Sequence, residues 1–269
     1  MTEADALADP PVWERRTSRE RIVRYALLLI AIVAVAVSWR MLSVNYTYLS
    51  TAPREFMDLV NRMYPPNLAY SGEIWRPLVE TVHIAVLGTI LAVILSVPVA
   101  LLGAENTTPN RIGYVVGKFI IAFTRSVNVI IWALIFVIIL GPGALAGVLA
   151  VGIRSIGFCS KLLAEAVEEI DRGQVEAITA TGATSLEAAI YGIVPQIKPA
   201  FVGITTYRWD INVRSSTIIG FVGAGGIGVE LTTSINFFRW QNVLTILLAI
   251  LAIVVFSEVT SAYLRRKVR

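Results

Sequence analysis

Apolar runs long enough to cross a bilayer recur along this chain, with polar stretches between them. The pattern predicts spans over roughly Ile22 to Val44, Thr81 to Ala104, Phe119 to Leu140 and Pro199 to Phe221. A further span starts near Ala144 and fades into Lys161 and Glu165, and a last one runs from Val243 to Leu264. Asn45 to Glu80 reads as a mixed-charge outer loop, with Arg54, Arg62 and Arg76 offset by Glu55, Asp58 and Glu73. Gly141-Pro142-Gly143 is a tight turn, and Pro98 predicts a kink in the second span. Gly147, Gly152 and Gly157 in the fourth span permit close helix approach. The expected fold class is all-α: a polytopic membrane protein with about six transmembrane helices.

One polar, helix-forming island interrupts this pattern, DRGQVEAITATGATSLEAAIYGIVP, from Asp171 to Pro195. Asp171 with Gln174, and Thr184 with Glu187, have the spacing of capping boxes. Gly182 stands where a short first helix should end with positive φ. Pro195 is expected to end the second helix, because a proline pushes the residue before it out of the α region. Leu186, Ala189, Ile190 and Ile193 form one apolar stripe on that helix.

Composition supports the membrane reading. Of 269 residues 56% are hydrophobic and 16% charged, and the mean hydropathy is +0.70; a soluble domain carries about 25% charged residues. The net charge is +4 and the pI about 9.3, but the positive residues cluster beside the spans, so topology explains them and nucleic acid does not. Arg15, Arg16, Arg19, Arg21 and Arg24 precede the first span, and Arg265, Arg266, Lys267 and Arg269 follow the last. Positive residues flank cytoplasmic ends. Residues 1–21 and 265–269 are therefore expected to be cytoplasmic tails. Ala34-Val35-Ala36 imitates a signal-peptidase site and leaves a cleaved signal as the alternative; the long apolar run and the long basic region before it favour reading the first hydrophobic segment, 22–44, as a retained anchor. The polar island then also falls in the cytoplasm, after an even number of crossings.

Cys159 is the sole cysteine and His83 the sole histidine, which excludes an intrachain disulfide and Cys- or His-cluster metal sites. His83 fits an interfacial position. No GxxxxGK[ST] motif occurs, so ATP, if used, is bound by a separate subunit and this chain carries no cofactor. Gly223-Ala224-Gly225-Gly226-Ile227-Gly228 satisfies GxGxxG, yet lacks the strand–turn–helix context of a dinucleotide site. Sharp turns and close packing at a span's end explain these glycines better. Nothing else suggests an enzyme.

The fifth span holds YRWDINVRSST in its middle. Arg208, Asp210 and Arg214 are strongly disfavoured facing lipid, at ~3 kcal/mol each. Tyr207, Asp210 and Arg214 share a helical face, and Asp210 can pair with Arg214 at i, i+4. Two readings stand: an ion pair that locks the bundle, or a polar lining of a translocation path. Two arginines against one aspartate suit an anion. Ser215 and Ser216 add hydroxyls; Arg125 and Asn128 lie near the cytoplasmic third of the third span.

Glu176, Ala177, Gly182 and Pro195 resemble the EAA loop of ABC-importer permeases: Glu-Ala-Ala, three residues, Gly, nine residues, then Ile-x-Leu-Pro. Ile178 departs from that pattern, as does the ending Gly192-Ile193-Val194-Pro195. NVRSSTIIGFVGAGGIG, SKLLAEAVEEIDRGQVEAITATGAT and NVIIWALIFV resemble permeases of phosphonate and phosphate ABC importers, and methionine-type permeases share part of this likeness. The resemblance covers roughly residues 77–264. It implies the type I ABC-importer permease fold and a multi-pass place in the bacterial cytoplasmic membrane. The implied partners are two cytoplasmic ATPase subunits, an extracytoplasmic solute-binding protein and a second permease copy forming a homodimer. Residues 171–195 would be the coupling hairpin, with Glu176, Ala177, Gly182, Leu186 and Pro195 at the ATPase. Arg125, Asn128, Arg208, Asp210, Arg214, Ser215 and Ser216 would line the path of a phosphorus oxyanion. The alternatives are a permease for methionine or another small solute, and an ATPase-independent secondary transporter.

Overall fold

The computed structural model describes residues 18–43 and 45–268, apart from the side chains of Ser18 and Val268. Arg15, Arg16, Val44 and Arg269 lie outside the described residues. All regular elements among the described residues are helical. The chain divides into two units, one up to Asp58 and one from Leu59 onward.

The first unit holds α1 (Ser18–Met41) and most of α2 (Tyr46–Met63). Arg19, Arg21 and Arg24, expected in or beside a tail, are thus on the first turns of a helix. The loop expected from Asn45 to Glu80 is largely helical too: it holds α2, a 3-10 turn at Leu68–Tyr70, and the start of α3 (Ser71–Gly103). Scattered charges hid a helical period in this stretch. Asn45 starts α2, its Oδ1 accepting from the Thr47 N–H at 3.1 Å.

The second unit is a bundle around α6 (Ala144–Glu168), which packs on α3, α4 (Arg111–Ser126), α5 (Val129–Leu140) and α9 (Val194–Ile219). Its glycines make this possible. A Cβ at Gly152 would come within 2.7 Å of Leu91 on α3. One at Gly157 would meet Thr124 Oγ1 on α4 at 2.2 Å, and one at Gly147 would meet the Ala224 carbonyl at 2.4 Å. The core here is Ile84, Ala133, Ala150, Val151, Ile219 and Ala224. A second cluster, Tyr70, Ile74, Ile227, Leu231, Val243 and Ile246, joins the start of α3 to α10 (Ile227–Asn236) and α11 (Trp240–Val268).

Four helical segments among the described residues are long and apolar enough to cross a membrane: Arg19–Met41, Leu68–Gly103, Ala144–Glu168 and Trp240–Lys267. Two bent pairs bring the number to six if each is one span. The expected continuous third span is one of these: α4 and α5 meet at 90°. The break is local chemistry, since Asn128 Oδ1 accepts from the Ile130 N–H at 3.0 Å and so starts a new helix instead of continuing the old one. The other is Ser185–Val222 with Ile227–Asn236, bent by 43° at the glycine run. Arg265, Arg266 and Lys267, expected in the basic end of the chain, form the last turn of α11.

Candidate functional site

The polar island folds as α7 (Arg172–Ala180), a turn at Gly182, and α8 (Ser185–Ala188). Gly182 has φ +87°, the left-handed conformation expected of it. The capping box at Thr184 is complete: Thr184 Oγ1 accepts from the Glu187 N–H, and Glu187 Oε2 accepts from the Thr184 N–H at 2.7 Å. The one expected at Asp171 is not. Asp171 Oδ1 caps α7 through the Gly173 N–H at 2.9 Å, but the Asp171 N–H donates to Gln196 Oε1 at 2.8 Å. Gln174 instead reaches the Asp171 carboxylate. Gln196, from the far side of the hairpin, takes the partner that a local capping box would have used.

Pro195 does not end a helix. It lies in the first turn of α9, and a π turn, Ala189–Ile193, leads into it. The Val194 N–H reaches back to the Ala189 carbonyl, and this widened turn carries the chain through proline's missing donor.

The hairpin's inner face is Ala188 and Gly192, the latter against Val175 and Ile178. Of the apolar stripe, Leu186 (69% exposed) and Ile190 (47%) stay uncovered, with Tyr191 and Val194 beside them. Ala189 and Ile193 are half-buried; Glu176, Ala177, Gly182 and Pro195 are exposed. Glu176 also lines a cleft of about 330 Å³ with Glu105, Thr107 and Arg172, between the hairpin and the loop after α3.

In mid-span, α9 sorts its polar residues into two layers. Arg208, Asp210, Asn212 and Ser216 are buried. Arg208 Nε donates to Ser155 Oγ at 2.8 Å, and its guanidinium lies 5.1 Å from the centre of the Phe158 ring. Asn212 Nδ2 donates to Thr89 Oγ1 at 2.9 Å and Ser155 Oγ to Asn212 Oδ1 at 3.0 Å, which ties α3, α6 and α9 together. Asp210 accepts from Ser257 of α11 at 2.7 Å and pairs with Arg214. Among the described residues no carboxylate pairs with Arg208. The Ser215 and Ser216 hydroxyls donate to the Ile211 and Asn212 carbonyls within α9.

The outer layer of α9 is a stripe of Tyr207, Arg214, Ile218 and, one turn on, Phe221, each exposed. These recur at i, i+7, i+11 and i+14, one helical face that stays exposed beyond the Tyr207 ring, whose centre lies 5.9 Å from that of Phe158 on α6. The Arg214 side chain is 47% exposed, while that of its partner Asp210 is 8% exposed. So the residues expected on one face separate: Asp210 points to α11 and Arg214 outward. Arg125, exposed at the end of α4, lies against the Gly157 turn of α6, and Asn128 is spent as a cap. Sequence reading passed over Thr89, Ser155, Phe158 and Ser257, because single small or aromatic residues in a span carry no signal of their own.

Residues 84–269 match the family described as "Binding-protein-dependent transport system inner membrane component". The chain belongs to this family. Such a permease is a multi-pass membrane protein that works with an ATPase and a binding protein. The permease is similar to the phosphite transport system permease protein PtxC of Stutzerimonas stutzeri, 37% identical over 94% of this chain and 90% of that one. It is also similar to the phosphate-import permease protein PhnE of Mycolicibacterium smegmatis, 41% identical over 77% of this chain and 39% of that longer one. A probable D-methionine permease of Haemophilus influenzae is 31% identical over 61% of this chain and 80% of its own length. Among solved structures, the MetNI methionine ABC transporter in inward-facing conformations matches with a TM-score of 0.64 at 22% identity, over 76% of this chain and 99% of that one. The permease therefore has the type I importer fold.

Proposed function

We propose that this permease carries a phosphorus oxyanion across the bacterial cytoplasmic membrane by alternating access, as one of two identical copies driven by two cytoplasmic ATPase subunits. Arg214 carries the reading. A guanidinium in mid-span costs ~3 kcal/mol against lipid, so the uncovered stripe of α9 faces protein or water, and a second copy with the translocation path between the two provides both. Two symmetry-related Arg214 groups then meet the substrate at the interface. Guanidinium donors match the oxygens of a phosphoryl group. Asp210, held by Ser257, competes for Arg214 and keeps binding weak enough for release. Arg208 adds positive charge behind the path, Arg125 and Asn128 lie toward its cytoplasmic mouth, and Ser215 and Ser216 follow Arg214 on α9.

At the cytoplasmic face, Leu186 and Ile190 seat in the ATPase, and Glu176, in the cleft that it lines with Glu105 and Arg172, takes a basic side chain of that subunit. ATP is bound there, and the permease does no covalent chemistry. Both termini are cytoplasmic. The similarity to phosphite and phosphate permeases supports an oxyanion over methionine. Reconstitution with the ATPase and binding protein tests the assignment: ATP-dependent uptake of phosphite, phosphate or an alkylphosphonate is expected. Uptake of methionine in preference to all three, or uptake that needs no ATP, sinks it.

A further inference from the structure

The helix α2 divides cleanly around its axis. At 100° per residue, Tyr46, Leu49, Ala52, Pro53, Phe56, Met57, Val60 and Met63 fall within one half-circle. Thr47, Ser50, Thr51, Arg54, Glu55, Asp58, Asn61 and Arg62 lie on the other, with Tyr48 and Leu59 at one boundary between the two. No residue of α2 is buried, and Leu49, Phe56 and Met57 are 71%, 67% and 59% exposed.

Hydrogen bonds mark the chain on both sides of α2. Upstream, α1 is a membrane-crossing helix that ends at Met41, and the indole of Trp39 in its last turn bonds the Tyr46 hydroxyl at the start of α2. Tryptophan and tyrosine favour this headgroup level. Downstream, Asn67 is clamped to the first turns of α11: its N–H donates to the Gln241 carbonyl at 3.4 Å, its Nδ2 to Asn242 Oδ1 at 2.9 Å, and its carbonyl accepts from Thr245 at 3.0 Å. An 18-residue helix is about 27 Å long.

We propose that α2 is an interfacial helix whose Leu49–Phe56–Val60 face is buried in the outer-leaflet headgroup and acyl boundary. Lipid is the occupant because a strong apolar arc with low overall hydrophobicity is the composition of a helix lying in the interface. Two arginines face two acids on its polar half, so attachment does not need anionic lipid.

The test uses the full chain with its ATPase in phosphatidylcholine–phosphatidylethanolamine vesicles, in a Cys159→Ser background. Nitroxide labels at Leu49→Cys, Phe56→Cys and Val60→Cys are compared with Thr51→Cys and Asn61→Cys for collision with oxygen and with a water-soluble nickel chelate. The oxygen-to-nickel ratio is expected to be several-fold higher on the first set, and to stay so when anionic lipid is added. Equal ratios on the two faces overturn the proposal. So does protection of the apolar face that appears only on adding the solute-binding protein, which makes it a protein-docking surface. The Thr51 and Asn61 variants alter no apolar residue. Should the others fail to assemble, labels at these two carry the test alone: headgroup depth supports the proposal and bulk-water accessibility overturns it.

Discussion

Gln196 holds both main-chain polar groups of Asp171, 25 residues earlier: its Oε1 accepts the Asp171 N–H at 2.8 Å and its Nε2 donates to the Asp171 carbonyl at 3.3 Å. The same Nε2 donates to the Gly192 carbonyl at 2.7 Å. The hairpin is thereby closed at its base, in the first turn of α9. Gln196→Leu keeps the side chain's bulk and removes all three bonds, each worth about 1 kcal/mol or less at an exposed site. Uptake per ATP hydrolysed should fall several-fold while the ATPase still copurifies. Unchanged uptake per ATP means that the clamp has no part in coupling.

A side chain at Gly182 would meet only open space, so the requirement for glycine there is purely conformational. A left-handed backbone costs a non-glycine residue about 1–2 kcal/mol, and a β-branched one more. Gly182→Val should reduce ATPase recovery in pull-downs while membrane insertion stays normal, and Gly182→Asn should be close to wild type. Full transport by the valine variant contradicts the docking role.

The two arginines of α9 should separate by experiment. Arg214→Gln removes an outward-facing cation and is expected to abolish or greatly slow oxyanion uptake while the complex assembles and hydrolyses ATP. Arg208→Gln disturbs the buried contacts to Ser155 and Phe158, so its first effect should be lower expression or thermal stability. Asp210→Asn should be milder than Arg214→Gln, since asparagine still accepts from Ser257. Should Arg214→Gln lose expression and keep full uptake per molecule, the pair is a packing lock.

Gly228 sits where α10 crosses the end of α9. A Cβ there would lie 2.1 Å from the Thr217 carbonyl and 2.9 Å from Gly220 Cα, both backbone atoms that cannot swing aside. Gly228→Ala should lower thermal stability by about 1–3 kcal/mol or prevent folding. Gly72→Ala, with nothing within 4 Å, is the matched control. Equal stability of the two variants rules out the close crossing.

The orientation is open to direct measurement. Single cysteines replacing Arg24 or Lys267, in the Cys159→Ser background, should resist an impermeant thiol reagent in intact cells. Labelling of one and not the other would mean an odd number of crossings.

The all-helical membrane setting and the helical hairpin around Gly182 were legible in the chain itself. Hydropathy reports length and burial in lipid, and Asp171, Gly182 and Thr184 act on neighbours within four residues, so local rules reach them. The same rules failed where a distant residue took over a local group. The Asp171 box is broken by Gln196, and Pro195 is carried through by a widened turn instead of ending its helix. They also failed on α2, whose charges suggested a loop although its period was helical. In the fifth span the sequence by itself determined that Arg208, Asp210 and Arg214 share a costly environment. Only the tertiary structure decided that Asp210 turns to Ser257, that Arg208 turns to Ser155 and Phe158, and that Arg214 is left on the open face. A helix presents all its sides in the sequence alike, and which side is covered depends on neighbours tens of residues away.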